Sequence, residues 1–122
     1  MNTNIKEYLN CSKSKNFNEI LFDFIDKSGR KDSDVYKKGD IDRKLFSKIR
    51  CSSTYIPKRN VVIKLGLALK LNCTEFNSLL NSAGYSLSSN KFDKNISFCL
   101  ENNIYDLNVV NNYLYTFCNA IL

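Results

Sequence analysis

The 122 residues contain no histidine, no tryptophan and a single proline. Without imidazole the chain lacks the commonest general base, the usual activator of a serine or cysteine nucleophile, and a standard zinc ligand. One proline and four glycines are too little punctuation for a many-turned β-sandwich and point to helices. The longest apolar stretches, such as residues 65–69, run only three to five residues. A membrane-spanning helix needs about 20. The opening MNTNIKEYLN has no apolar core behind a basic start, which predicts a chain that is not exported and resides in the cytoplasm. The five cysteines (11, 51, 73, 99 and 118) lie 19 to 40 residues apart, without zinc-knuckle spacing. They read as reduced thiols packed like small hydrophobes. No metal, cofactor or catalytic residue is expected. The nearest paired carboxylates, Asp23 and Asp26, have the spacing of a solvated helix surface.

What is present is positive charge, and it is concentrated. The chain carries +6 overall, whereas residues 27–64 alone hold twelve basic and four acidic residues, a local +8. The remainder sums to −2. A basic segment on a near-neutral body is the footprint of a nucleic-acid binder. A solvated face in a Lys/Asn-rich chain is the competing reading, and charge alone does not separate them.

Hydrophobic spacing predicts about seven helices and no strand. Residues 1–16 read as a flexible arm. Phe17, Ile20, Leu21, Phe24 and Ile25 recur at helical spacing up to Ser28-Gly29. Asp32 or Ser33 is expected to cap a short second helix with Val35 and Tyr36, stopped by Gly39-Asp40. Asp42 then caps a third helix over 43–50, which buries Phe46 and Ile49. A polar loop over 51–58 precedes an apolar fourth helix over 60–71. Thr74 is expected to cap a fifth, closed by Ala83-Gly84. Two more follow, one with Phe92, Ile96 and Cys99, the last opened by Asp106 or Asn108.

Three short helices with a tight turn between the second and third outline a helix-turn-helix. The segment VYKKGDIDRKLFSKIR, residues 35–50, resembles the lambda-repressor-like (Cro/CI, XRE-type) pattern. Val35, Ile41, Phe46, Ser47 and Ile49 fall on the positions that lock the two helices, Ser47 being small enough for close approach. Pro57 and KLGLALKLNCTEF look like that family's fourth helix and the start of its fifth. With NSAGYSLSS the chain also resembles a Gram-positive and phage subgroup carrying a C-terminal helical extension. The resemblance implies an all-α, five-helix DNA-binding unit over 17–85 plus about two C-terminal helices over 86–122. Departures from the pattern are Tyr36 in place of a small alanine, Asp32 in place of glutamine, Arg50 in place of glutamate, a turn glycine one place early, and an exposed Leu45.

The resemblance implies a regulator, most simply a repressor, of double-stranded DNA, with the third helix in the major groove. Arg43, Lys44, Lys48 and Leu45 would face the bases, Arg43 reaching guanine and Leu45 a thymine methyl. Tyr55, Lys58, Arg59 and Lys37 would hold phosphate. Asp42 reads mainly as a cap. A solvated helix face would space Arg43, Lys44 and Lys48 in the same way. The C-terminal helix carries apolar residues over too wide an arc for one-sided packing. It therefore serves either a two-fold homodimer or burial on both faces within the monomer. The alternative function is an adaptor or inhibitor that uses the same scaffold to bind a protein such as a nucleic-acid-handling or defence enzyme. Tyr36, Asp32 and Leu45 favour it by softening the DNA face. RNA binding shares the basic segment but lacks an RNA-module signature.

Overall fold

The computed structural model describes residues 16–122. The arm expected over 1–16 lies, apart from Asn16, outside the described residues. Those residues form seven helices: α1 (Phe17–Ser28), α2 (Asp32–Lys38), α3 (Arg43–Cys51), α4 (Arg59–Ala68), α5 (Cys73–Ser82), α6 (Lys91–Glu101) and α7 (Leu107–Cys118). No strand occurs among them, so the described residues are all-α.

The helix starts divide into two groups. Asn16, Asn72, Asn90 and Asp106 each accept a hydrogen bond from a backbone N–H of the first turn, and thereby cap α1, α5, α6 and α7. Asn16 and Asn72 complete reciprocal capping boxes with Glu19 and Glu75. The α5 cap is thus Asn72, two residues before the expected Thr74, because Glu75 stands three residues after Asn72. Helices α2, α3 and α4 start at Lys31, Asp42 and Lys58 with no side-chain cap. All three uncapped starts fall in the basic segment. The expected caps at α2 and α3 do not form: Asp32 is the first helical residue rather than the cap, and Asp42 stands at the cap position without a side-chain hydrogen bond.

Helix α4 is the spine. It packs on α2, α5 and α7, while α1 packs on α5, and α6 on both α5 and α7. One continuous core runs from Phe17, Leu21 and Ile25 of α1 through Ile63 and Leu67 of α4 to Ile96, Cys99, Val110 and Leu114. The C-terminal helices therefore share the core of the first five. Burial pushes the Cys99 thiol pKa up, in keeping with an inert core thiol. Helix α4 ends at Ala68, short of the expected Leu71, because Lys70 turns left-handed at φ +54°.

Two glycines are set by close approach. A Cβ on Gly66 would lie 2.5 and 2.6 Å from two ring carbons of Phe76, so only glycine lets α4 meet α5 there. Phe76 is fully enclosed and has nowhere to move. Gly66→Ala is expected to lower the unfolding free energy in urea by about 2 kcal/mol, overpacking outweighing the roughly 1 kcal/mol gained in helix propensity. Gly39, in the four-residue connection from α2 to α3, is buried with Ile41 Cδ1 3.0 Å and Lys64 O 3.3 Å from where its Cβ would be. The left-handed turn itself falls on Asp40, at φ +51°. Gly39 thus provides clearance and Asp40 the turn, and the early glycine is no defect.

Candidate nucleic-acid interface

Helix α3 is held from behind and open in front. Phe46 and Ile49 are buried. The Phe46 ring packs edge-on to Phe22 of α1 at 6.0 Å and tilted against Tyr36 of α2 at 5.5 Å. Tyr36 thus fills space behind α3, where the family pattern has a small residue. Asn18 of α1 donates from Nδ2 to the Ile49 carbonyl at 2.8 Å, fixing the last turn of α3.

Two further departures from the pattern meet one another. Arg50 donates from Nε and Nη2 to the two oxygens of Asp32, at 2.6 and 2.8 Å. The Arg50 guanidinium also lies 4.1 Å over the Phe22 ring. The Asp32 hydrogen bond raises the arginine pKa further. Both partners are over a third exposed, so the pair stabilises by no more than about 1 kcal/mol. Its main effect is positional, tying the start of α2 to the end of α3. Asp32 is therefore a neutralised partner of Arg50 rather than a lone anion facing the groove.

With Phe46 and Ile49 inward, the helical period of about 100° per residue turns Lys44, Ser47 and Cys51 outward, with Arg43 and Lys48 on the shoulders. All five are exposed. Neither Arg43 nor Lys44 has an ion-pair partner among the described residues. The Lys48 ammonium lies 4.4 Å over the ring of half-buried Tyr55, which joins the loop after α3 to this face. Lys58 is exposed at the uncapped start of α4.

Four expected placements differ. Leu45 is half-buried and packs against the core, because it lies on the Phe46–Ile49 side of the helix. It is not one of the outward residues. Ser47, expected at a helix–helix contact, is exposed in the middle of the outer face; its spacing from Lys44 and Cys51 carries that signal in the sequence. Arg59 is turned inward: its Nη2 donates to Asp93 at 2.5 Å, and its Nη1 is buried without a hydrogen-bond partner. Asp93 is 1% exposed and also accepts from the Ser88 backbone N–H at 2.7 Å and the Ser88 hydroxyl at 3.0 Å. Arg59 thus fastens α6 to the start of α4. Lys37 lines a cleft of about 650 Å³ with Lys38, Lys70 and Asp106, whose walls include no α3 residue. The structure therefore brings Arg43, Lys44, Ser47, Lys48 and Tyr55 together, while Leu45 and Arg59 are turned inward, Lys37 lines the cleft and Lys58 stands exposed at the start of α4.

No cluster of three or more His, Cys, Asp or Glu side chains that could hold a metal occurs among the described residues. No described helix is long and apolar enough to cross a membrane. No protein-family model, curated protein or solved structure matches the chain.

Proposed function

We propose that the chain is a sequence-specific double-stranded DNA-binding regulator, most simply a repressor, of the lambda-repressor-like helix-turn-helix type, with α3 as the recognition helix. The observation that carries this reading is the outer face of α3. A helix buttressed on its inner side by Phe46, Ile49 and Asn18 presents Arg43, Lys44, Ser47 and Lys48 outward, all exposed. A rigid helix with unneutralised cations on one side suits a major groove about 12 Å wide. Arg43, at the first turn, is positioned for bidentate contact with guanine, and Ser47 can pair with several base edges. Tyr55 and Lys58 flank the helix as phosphate contacts, the uncapped α4 start adding backbone N–H groups to the same task.

The residues that favoured a protein-binding adaptor each have a partner within the domain: Asp32 on Arg50, Tyr36 on Phe46, Leu45 on the core. That removes the specific argument for the alternative.

Fluorescence anisotropy on a labelled duplex, titrated with salt, tests the electrostatic part. Each phosphate neutralised by a lysine or arginine steepens the fall of log affinity with log salt by about 0.9, so affinity is expected to drop markedly between about 50 and 200 mM salt. Lys58→Ala is expected to weaken binding to all duplexes alike and to reduce the log–log salt slope by about 1. A slope near zero contradicts the reading.

A further inference from the structure

The C-terminal helices leave an apolar ridge uncovered. Val110 and Leu114 bury the inner side of α7, while Phe98 of α6 remains 48% exposed and Phe117 of α7 64%. Burial on both faces within the monomer, one of the two readings of the sequence, therefore does not occur. The ridge is ordered: Phe98 packs edge-on to Tyr113 at 5.9 Å, and Tyr113 stacks on Phe117 at 6.4 Å. Val109 continues it one helical turn before Tyr113 and is also exposed. A fully buried aromatic covers roughly 150–250 Å², so the exposed parts of these side chains form a patch of a few hundred Å², the size that marks an association site.

The charges beside the ridge choose the occupant. Along the outer face of α6 the order is Lys91, Lys94, Phe98, Glu101, all exposed. None of the three charged residues has an ion-pair partner among the described residues. Lys94 and Glu101 lie seven residues apart, two turns, and so share one face with Phe98 between them. Such a stripe, positive at one end, aromatic in the middle and negative at the other, complements itself when it is laid antiparallel on a copy. A two-fold axis near Phe98 places Lys94 of one protomer beside Glu101 of its partner, and does so twice.

We infer that α6 and α7 form the interface of a symmetric homodimer, with α6 antiparallel to α6 of a second copy, Phe98 at the axis, and Lys94–Glu101 pairs on either side. Charged rims with a depleted, aromatic centre are the usual anatomy of such contacts. The interface stands independently of DNA binding but deepens that proposal. Arg59–Asp93 fastens α6 to α4, so a dimer through α6 holds two α3 helices in a fixed relation, as a palindromic site requires.

Light scattering or sedimentation equilibrium of the full chain, without DNA, tests it, with circular dichroism to verify that each variant is folded. Wild-type protein is expected at twice the 14.1 kDa of the chain. Phe98→Glu is expected to give a folded monomer. Lys94→Glu and Glu101→Lys should each weaken dimerisation by about tenfold, since each creates two like-charge contacts, and the two together should restore it. A wild-type monomer at all concentrations overturns the inference. So does a dimer untouched by Phe98→Glu, or a double charge reversal no tighter than the single ones. A dimer with no affinity for DNA would sink the function proposed above and leave this interface standing. A monomer that selects a DNA motif would do the reverse.

Discussion

Replacing Arg43, Lys44 and Lys48 together by alanine should lower affinity for a cognate duplex by about 10²–10⁶-fold and leave thermal stability unchanged. The size follows from direct readout, in which each good contact to a base edge contributes roughly 1–3 kcal/mol and about 1.4 kcal/mol is tenfold. The unchanged stability follows from exposure: all three side chains project from α3, and among the described residues only Lys48 of the three has an ion-pair or ring contact, with Tyr55. The single variants separate roles. Arg43→Ala should relax preference at one base position, measured as the ratio of affinities for matched and mismatched duplexes. Lys58→Ala should leave that ratio intact. If the triple variant binds DNA as wild type does, α3 is not the reading helix, whatever else the basic segment contacts.

Arg59→Ala should be among the most destabilising substitutions at a partly exposed residue. It leaves the Asp93 carboxylate, 1% exposed, with Ser88 as its remaining partner. Breaking a buried ion pair from one side costs about 3–5 kcal/mol. At roughly 3–5 °C per kcal/mol for a chain of this size, the melting temperature should drop by roughly 10–20 °C. The pair also predicts a pH dependence. Burial alone would raise the Asp93 pKa, but the Ser88 backbone N–H, the Arg59 guanidinium and the Ser88 hydroxyl outweigh it and hold the carboxyl below its ordinary range. Its stabilisation is therefore complete above the unfolded carboxyl's pKa of about 3.9, and is lost as pH falls below that toward the lower folded value. Asp93→Asn should lower stability near neutrality and flatten the acid limb of the urea midpoint against pH. An acid limb identical to wild type would show that Asp93 is not held as an anion.

Local signals in the sequence located most of the helices, and long-range partners account for what they missed. Apolar spacing identifies α1 over its full length, Phe17–Ser28, because Gly29 supplies a left-handed stop at φ +68°. Phe46 and Ile49 show the inner side of α3 in the same way. The errors fall where a side chain answers to something distant. Asp32 has the composition of a cap but is held by Arg50, 18 residues on. Arg59 looks like a phosphate contact in a basic loop, yet its partner lies 34 residues away on α6. Leu45 and Ser47 are adjacent to correctly placed neighbours, but the family pattern does not carry the helical angle that Phe46 and Ile49 set. The angle puts Leu45 inward and Ser47 outward. The uncovered ridge of α7 was visible as an apolar arc, but only packing shows which part of that arc the monomer uses.

Selection of bound duplexes from a random-sequence pool by the purified full chain, near 150 mM salt where non-specific attraction is screened, tests the central claim most directly. The account predicts enrichment of a short motif, as an inverted repeat if α6 pairs two copies, and loss of that enrichment in the Arg43/Lys44/Lys48 triple alanine variant. Recovery of unenriched sequence, with only weak salt-sensitive binding, would contradict it.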